Sequence, residues 1–275
     1  MELMKKDSML NKIGIGRTAE IFEIENNKIL KLYFKRIPDE VAIMEYEIHK
    51  KINNLDIPIA VCYDLIQQDG RYGITMEKIN GISMMKFMSE NPMTSMQQAK
   101  KLAQLHSTVH VIKNPGLTQY KDQLRQRIDA VPIISNSDKN KIFAYLKKLP
   151  EGDSLCHGDF HPENILFANK KDYIIDWMTA TQGNLCSDVA HTDLLLRYAV
   201  SPENKHGIEM FITNMVRNKF ADTYIHEYLR GKNIHKQDIK VWKLPHMASM
   251  LNDIMPDSTK DFFLREIQKA LKNIS

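Results

Sequence analysis

The sequence predicts an α+β protein with two lobes: a β-rich part over residues 1–79 carrying one helix, then a mostly helical part over residues 80–275. Three observations predict it. Residues 9–34 run as KIGI, AEIFEI and KILKLYF, apolar or alternating and rich in β-branched side chains, with the polar ENN as a hairpin turn before the last run. From Asn80-Gly81 onward the apolar spacing becomes helical, as in Met96, Ala99, Leu102, Ala103, Leu105 and Val109. A short β island (LC, ILF and YIID) then interrupts the helices and brackets a dense polar cluster.

The remaining elements follow in order. Residues 39–53, DEVAIMEYEIHKKIN, start acidic and end lysine-rich, which suits a helix macrodipole. Ile59 to Ile66 and Arg71 to Glu77 are predicted strands joined across QQDG. Helices are predicted over 95–111, 119–129 and 137–149, and the chain after Asp188 is almost all helix.

Composition limits the function classes. The chain has 275 residues, 43% apolar and 26% charged, enough for one large domain or two lobes. A net charge of +4 spread over scattered lysines argues against nucleic acid as a partner. The sequence lacks a run of about 18 apolar residues, so no membrane span is expected. The opening MELMKKDSML lacks the apolar stretch of a signal peptide. Cys62, Cys156 and Cys186 are far apart and form no CxxC pair. They read as reduced, apolar fillers in a cytoplasmic protein.

The polar cluster is LCHGDFHPENILF, residues 155–167. His157 and His161 are four apart, which on a helix would put both on one face as a metal pair. Gly158 and Pro162 oppose a regular helix, so the spacing belongs to a loop. Read instead as H-x-D-x-x-x-x-N, the stretch matches the catalytic loop of phosphoryl-transferring kinases. Asp159 would accept the proton of an attacking hydroxyl, and Asn164 would offer an amide oxygen to Mg2+. Asp176, placed at the end of the YIID strand, would add a carboxylate to the same ion, as hard oxygen donors suit magnesium.

HGDFHPENILF followed by IIDW resembles the aminoglycoside phosphotransferase and choline kinase family, small-molecule kinases with a protein-kinase-like fold. The resemblance spans nearly the whole chain and is strongest at 155–191. It implies ATP, with GTP as an alternative, and Mg2+ as cofactors. Gly14, Gly16 and Ala19 fit G-x-G-x-x-G with alanine in the third place, where glycine lets the backbone approach phosphate. The family pattern makes Ile21 a cover for adenine and Lys31 the lysine on the α/β-phosphates. Ile29, on the same strand face as Lys31, would line the nucleotide pocket. Lys28 and Lys35 compete with Lys31 less well. Of the two helical glutamates that could pair with the lysine, Glu45 has Ile48 and Ile52 on its face and points inward, whereas Glu47 points to solvent.

At the lobe junction YGITMEKINGISM resembles the family's hinge. Backbone groups of Glu77 and Ile79 would meet the adenine edge beside Met76, which could equally be plain core. Leu166 and Ile175 would form the floor beneath the base or serve as ordinary core. LAQLH at 102–106 resembles a family helix motif and reads as packing, with His106 structural. Asp188 resembles the aspartate that braces the catalytic loop.

The pattern also departs from regulated protein kinases. Gly158 stands where they carry arginine, only eleven residues separate Asp176 from Asp188, and no A-P-E follows. That leaves no room for a long peptide-docking segment and favours a small hydroxyl-bearing acceptor. DWM replaces DFG, and Met178 stands where the family often has an acid. Residues 201–275 hold nine acids and twelve lysines or arginines, dispersed rather than clustered for a polycation. A phosphotransferase acting on an unidentified small alcohol is the expectation. A non-catalytic nucleotide-binding scaffold and a kinase for a protein partner are the alternatives.

Overall fold

The computed structural model describes residues 11–168, 171–198 and 208–274. The chain forms two compact units, residues 1–87 with 162–180, and residues 88–161 with 181–275. This partition differs from the expected division at 79/80: the segment after the catalytic loop packs with the N-terminal sheet unit. The cause is backbone pairing, since Ile174 N–H donates to Pro58 O at 2.7 Å and a strand of this segment pairs with residues 82–83.

The first unit is built on an antiparallel sheet of β1 (Asn11–Ile15), β2 (Ala19–Ile24), β3 (Lys28–Tyr33), β4 (Cys62–Gln68) and β5 (Arg71–Glu77), in spatial order β1-β2-β3-β5-β4. Period-2 alternation separates two cores. Leu30, Leu32 and Ile66 lie on one face with Phe22 and Ile24. Ala19, Tyr33, Cys62, Ile74 and Met76 lie on the other, with Ala42 of the helix α1 (Asp39–Ile52). Asn26 and Asn27 take positive φ in the β2–β3 turn (62° and 56°), a conformation that asparagine tolerates. The helix starts with Asp39 and Glu40 and ends with His49, Lys50 and Lys51, as its dipole favours. Its inward face consists of Ala42, Glu45, His49 and Ile52, so two ionisable side chains are buried among apolar ones.

A smaller sheet completes this unit: β6 (Ile82–Ser83), then β8 (Ile165–Ala168) and β9 (Lys171–Ile174), in order β6-β8-β9. The helix α2 (Met84–Glu90) follows β6, and β7 (Ser154–Cys156) lies in the other unit. The turn expected at ANKKD includes residues 169 and 170, outside the described residues. The expected YIID strand stops at Ile174, so Ile175 and Asp176 lie beyond it.

The second unit contains α3 (Ser95–Val111), α4 (Tyr120–Asp129), α5 (Asn136–Lys148), α6 (Leu185–Tyr198), α7 (Ile208–Leu229), α8 (Lys236–Lys240), α9 (Lys243–Met250) and α10 (Asp257–Ile274). In it β7 pairs with β10 (Thr181–Gly183), a strand absent from the sequence reading. Ser135 caps α5 by accepting from Asp138 N–H at 3.1 Å. α6 is buried continuously from Cys186 to Leu194, and α4, α5, α9 and α10 meet in a core that includes Ile128, Leu194, Phe263 and Ile267. Among the described residues no helix is long and apolar enough to cross a membrane.

Gly81 shows how closely β6 approaches β8. A Cβ there would lie 2.5 Å from Phe167 O and 3.0 Å from Ala168 Cβ. Gly81→Ala should therefore push β6 off β8 and destabilise the protein by about 1–3 kcal/mol, as overpacking does. Urea unfolding checks this; an unchanged midpoint would show that β6 shifts without cost.

Candidate active site

The five-stranded sheet sets the first group of residues by register. Gly14 pairs with Ile21, Ile21 with Lys31, and Lys31 with Ile74, so a row runs across the sheet from the glycine loop to the lysine. Gly16 N–H donates to Ala19 O at 2.8 Å, closing a tight turn between β1 and β2. A Cβ at Gly14 or Gly16 would meet only ordinary contacts at 3.6 Å, so nothing within the protein demands glycine there. Ile29 pairs with Met76, two residues from Lys31 and on its face.

Lys31 Nζ donates to Glu45 Oε1 at 2.8 Å, Glu45 Oε2 at 2.9 Å and Asp176 Oδ1 at 3.0 Å. Burial opposes charge on this amine, but the two carboxylates outweigh it and hold the ammonium pKa above its usual value. Glu45 is only 1% exposed. Glu47 lies on the solvent side, paired with Lys50 at 3.0 Å. Lys28 stacks over the Tyr63 ring at 4.1 Å, away from this cluster. Tyr33 was not foreseen: its hydroxyl donates to Glu45 Oε2. Burial, then Glu45, raises the Tyr33 pKa, so it stays a neutral phenol and a donor.

Asp176 has φ of +62°, in the left-handed region that aspartate reaches more readily than most residues. The chain therefore turns sharply after β9, and the carboxylate meets Lys31. Trp177 then buries completely, its Nε1–H donating to Ile174 O at 3.0 Å. Ile175 N–H donates to Asn164 O at 3.0 Å, so the backbone of Asn164 lies beside the residue preceding Asp176. An amide oxygen and a carboxylate on adjoining backbones form a donor set that fits a hard cation such as Mg2+.

Leu166 and Ile175 are half-buried, whereas Met76 is 7% exposed within the core. In the hinge, Glu77 N–H donates to Val61 O at 2.8 Å, and Ile79 O accepts from Gly81 N–H at 3.0 Å.

In the second unit the loop that carries Asp159 is organised by a buried carboxylate. Asp188 Oδ2 accepts from His157 N–H at 2.6 Å, and Oδ1 from Gly158 N–H at 2.9 Å. Gly158 has φ of +77°, a conformation that favours glycine. His106 and His110, one turn apart on α3, also face Asp188 Oδ2 through Nε2 at 3.1 and 3.3 Å. The carboxylate only accepts, so each Nε2 carries the hydrogen and each Nδ1 accepts. The donors are Tyr224 to His106 and Tyr228 to His110, both at 2.6 Å and one turn apart on α7. His106 is thus a bracing residue rather than only packing; His110 and the tyrosines were not foreseen. The two histidines and Asp188 could in principle hold a metal. Their ligating atoms are instead engaged in these hydrogen bonds.

Asp159 is partly exposed, its side chain at 38%. Burial would raise its pKa, but His161, whose Nε2 lies 3.5 Å from Oδ2, with His191 and His157, holds it below the usual carboxylate range. Asp159 N–H donates to His157 Nδ1 at 3.2 Å, so His157 serves as a backbone anchor. All three cysteines are free and buried, and burial raises the Cys62 and Cys186 thiols to about 12.

A family model described as "Phosphotransferase enzyme family" matches residues 10–203. Among curated proteins, the chain is 27% identical over 218 residues to the EKC/KEOPS complex subunit BUD32 of Enterocytozoon bieneusi (strain H348), across 75% of this chain and 90% of that protein. Among solved structures, it is similar to aminoglycoside phosphotransferase APH(4)-Ia in ternary complex with AMP-PNP and hygromycin B (TM-score 0.61, 14% identity, 97% of this chain and 93% of that one). It is also similar to an amicoumacin kinase in complex with AMP-PNP and Ca2+ (TM-score 0.58, 13% identity, 96% and 88%). A third is the streptomycin–ATP complex of APH(2'')-IIa (TM-score 0.56, 16% identity, 95% and 91%). At these identities the structures establish the fold: a β-rich N-terminal sheet followed by a helical region, as in these kinases.

The Asp188 network has a pH signature. Burial lowers the His106 pKa from 6.5 to about 3. Below pH 6.5 the unfolded chain takes up a proton that the fold refuses, so stability falls with pH until about 3. Each such group contributes about 1.4 kcal/mol per pH unit. His191 and His246 act in the same sense. Between pH 6 and 4 the unfolding free energy of His106→Asn should depend on pH less steeply than wild type, by about one proton. Urea unfolding across that range measures it; equal slopes would mean that His106 titrates normally in the fold.

Proposed function

This chain belongs to the phosphotransferase enzyme family, and we propose that it moves the γ-phosphoryl group of ATP to a hydroxyl of a small molecule with the help of Mg2+. The observation that carries the reading is the triad of Lys31, buried Glu45 and partly exposed Asp176, joined at 2.8–3.0 Å. A lysine held charged between two carboxylates suits a nucleotide phosphate, and the second carboxylate suits the metal that neutralises it.

In this reading the backbone of Gly14 and Gly16 covers the phosphates, Ile21 and Ile29 line the base pocket, and Leu166 and Ile175 form its floor beside Met76. The Glu77 carbonyl and the Ile79 N–H meet the adenine edge. Asn164 and Asp176 hold Mg2+, which supplies charge neutralisation on the phosphates. The low basicity of Asp159 fits a group that orients the acceptor hydroxyl and takes its proton only as the phosphoryl group transfers. GTP is the alternative nucleotide.

A small acceptor is favoured by the eleven residues between Asp176 and Asp188. Trp177 is buried, residues 181–183 form β10 and α6 begins at Leu185, which leaves little chain for docking a peptide. Several acids past residue 200 already have internal partners: Asp222 with Arg197 at 2.6 Å, Glu227 with Arg230 at 2.8 Å, Asp253 with Arg127 at 2.9 Å and Glu266 with Lys269 at 2.7 Å. These pairings leave fewer carboxylates for a polycation, which supports an alcohol less cationic than an aminoglycoside.

The test is ADP or GDP release with Mg2+ across a panel of hydroxyl metabolites and aminoglycosides, with Asp159→Asn alongside. Acceptor-dependent release is expected from wild type. The variant should lose about 100-fold or more in turnover while nucleotide affinity stays unchanged. Equal turnover by the variant would remove Asp159 from its role; nucleotide binding without turnover on any acceptor would favour a scaffold.

A further inference from the structure

The three N–H groups of Lys31 are all taken by carboxylate oxygens, two of them from Glu45. A nucleotide phosphate can bind Lys31 only if one of these bonds is given up. Glu45 is 1% exposed, so water cannot replace a lost donor there. Its Oε1 has Lys31 at 2.8 Å and His49 Nε2 of the same helix at 3.8 Å. Its Oε2 has Lys31 at 2.9 Å and the Tyr33 hydroxyl. The demand of Oε2 for a donor can therefore be met without Lys31, and only because residue 33 carries a hydroxyl.

We infer that Tyr33 is a positioning residue for nucleotide phosphate: its hydroxyl holds Glu45 Oε2 and so releases one Lys31 N–H for the ligand. The inference rests on the nucleotide-binding reading above. Tyr33 is fixed for this task. It follows Lys31 by two residues on β3 and so shares its face, and its ring is 3% exposed in the core with Ile74 and Met76. Arg71 Nε–H donates to its carbonyl at 2.6 Å. The ring centroid lies 5.7 Å from Lys31 Nζ, so the phenol and the ammonium reach Glu45 side by side. Without the hydroxyl, Oε2 would depend on Lys31 alone and compete with phosphate for its protons.

Tyr33→Phe removes only the hydroxyl and keeps the ring in the core. Calorimetry with AMP-PNP and Mg2+ should show affinity reduced about three- to ten-fold, the span of one hydrogen bond. Adenosine, which carries no phosphate, should bind both proteins equally by NMR titration. In a Glu45→Gln background, Tyr33→Phe should cost much less. Equal AMP-PNP affinity in Tyr33→Phe and wild type, even with a lowered melting temperature, would make Tyr33 merely structural and overturn the inference. An equal loss for adenosine would overturn it too, by revealing a distorted base pocket. Wild type that binds neither ligand would sink the nucleotide reading itself, a distinct result.

Discussion

A carboxylate taken out of water needs its lone pairs met by protein donors, and each unit of this protein is arranged around one such group. Glu45 is 1% exposed and Asp188 fully buried. Leaving either without partners would cost several kcal/mol. Around Glu45 the donors are an ammonium and a phenol from a single strand. Around Asp188 they are two backbone N–H groups of the loop, two imidazoles of α3 backed by two phenols of α7, and the more distant Tyr120 hydroxyl at 3.5 Å. The same bonds that satisfy the carboxylate fix the positions of the candidate site groups: Lys31 in one case, the backbone leading into Asp159 in the other. Desolvation and positioning are thus one requirement here.

The legible part of this arrangement is what local pattern encodes. Alternation separated the two sheet faces, and strand parity singled out Lys31 from Lys28. Helical spacing chose Glu45 over Glu47, because Ile52 and Glu45 share one buried face of α1. The loop spacing of Asp159, Asn164 and Asp176 was visible because five- and twelve-residue intervals need no tertiary information. The backbone at Asp176 was not: a strand was expected to deliver it, whereas a left-handed residue past the strand end does so.

What stayed hidden are polar partners that meet across long stretches of chain. Tyr224 reaches His106, and Tyr228 reaches His110, each from 118 residues away. The only local trace was the matching one-turn interval within each pair. Tyr33 was hidden differently. It sits in an apolar run and satisfies the strand pattern as a hydrophobic residue, so nothing in the pattern shows that its hydroxyl faces a carboxylate. Residues 162–180 fell in the expected 80–275 part as a short β island, yet backbone pairing with Pro58 and β6 carries them into the sheet unit.

Under the proposed reading, the electrostatics of Asp159 limit the chemistry open to it. A carboxylate held below its usual pKa by neighbouring imidazoles is a weak base, so it cannot hold an alkoxide ready in the ground state. Its advantage lies in being ionised throughout the neutral range, with an oxygen always available to a hydroxyl. In the proposed role such a residue would act through alignment, and alignment depends on the loop backbone. The His157 imidazole accepts from Asp159 N–H, while Asp188 accepts from His157 and Gly158 N–H. The chain of acceptors ends in a carboxylate that no solvent reaches, so the backbone at Asp159 is held from the protein interior, by a group buried beneath it.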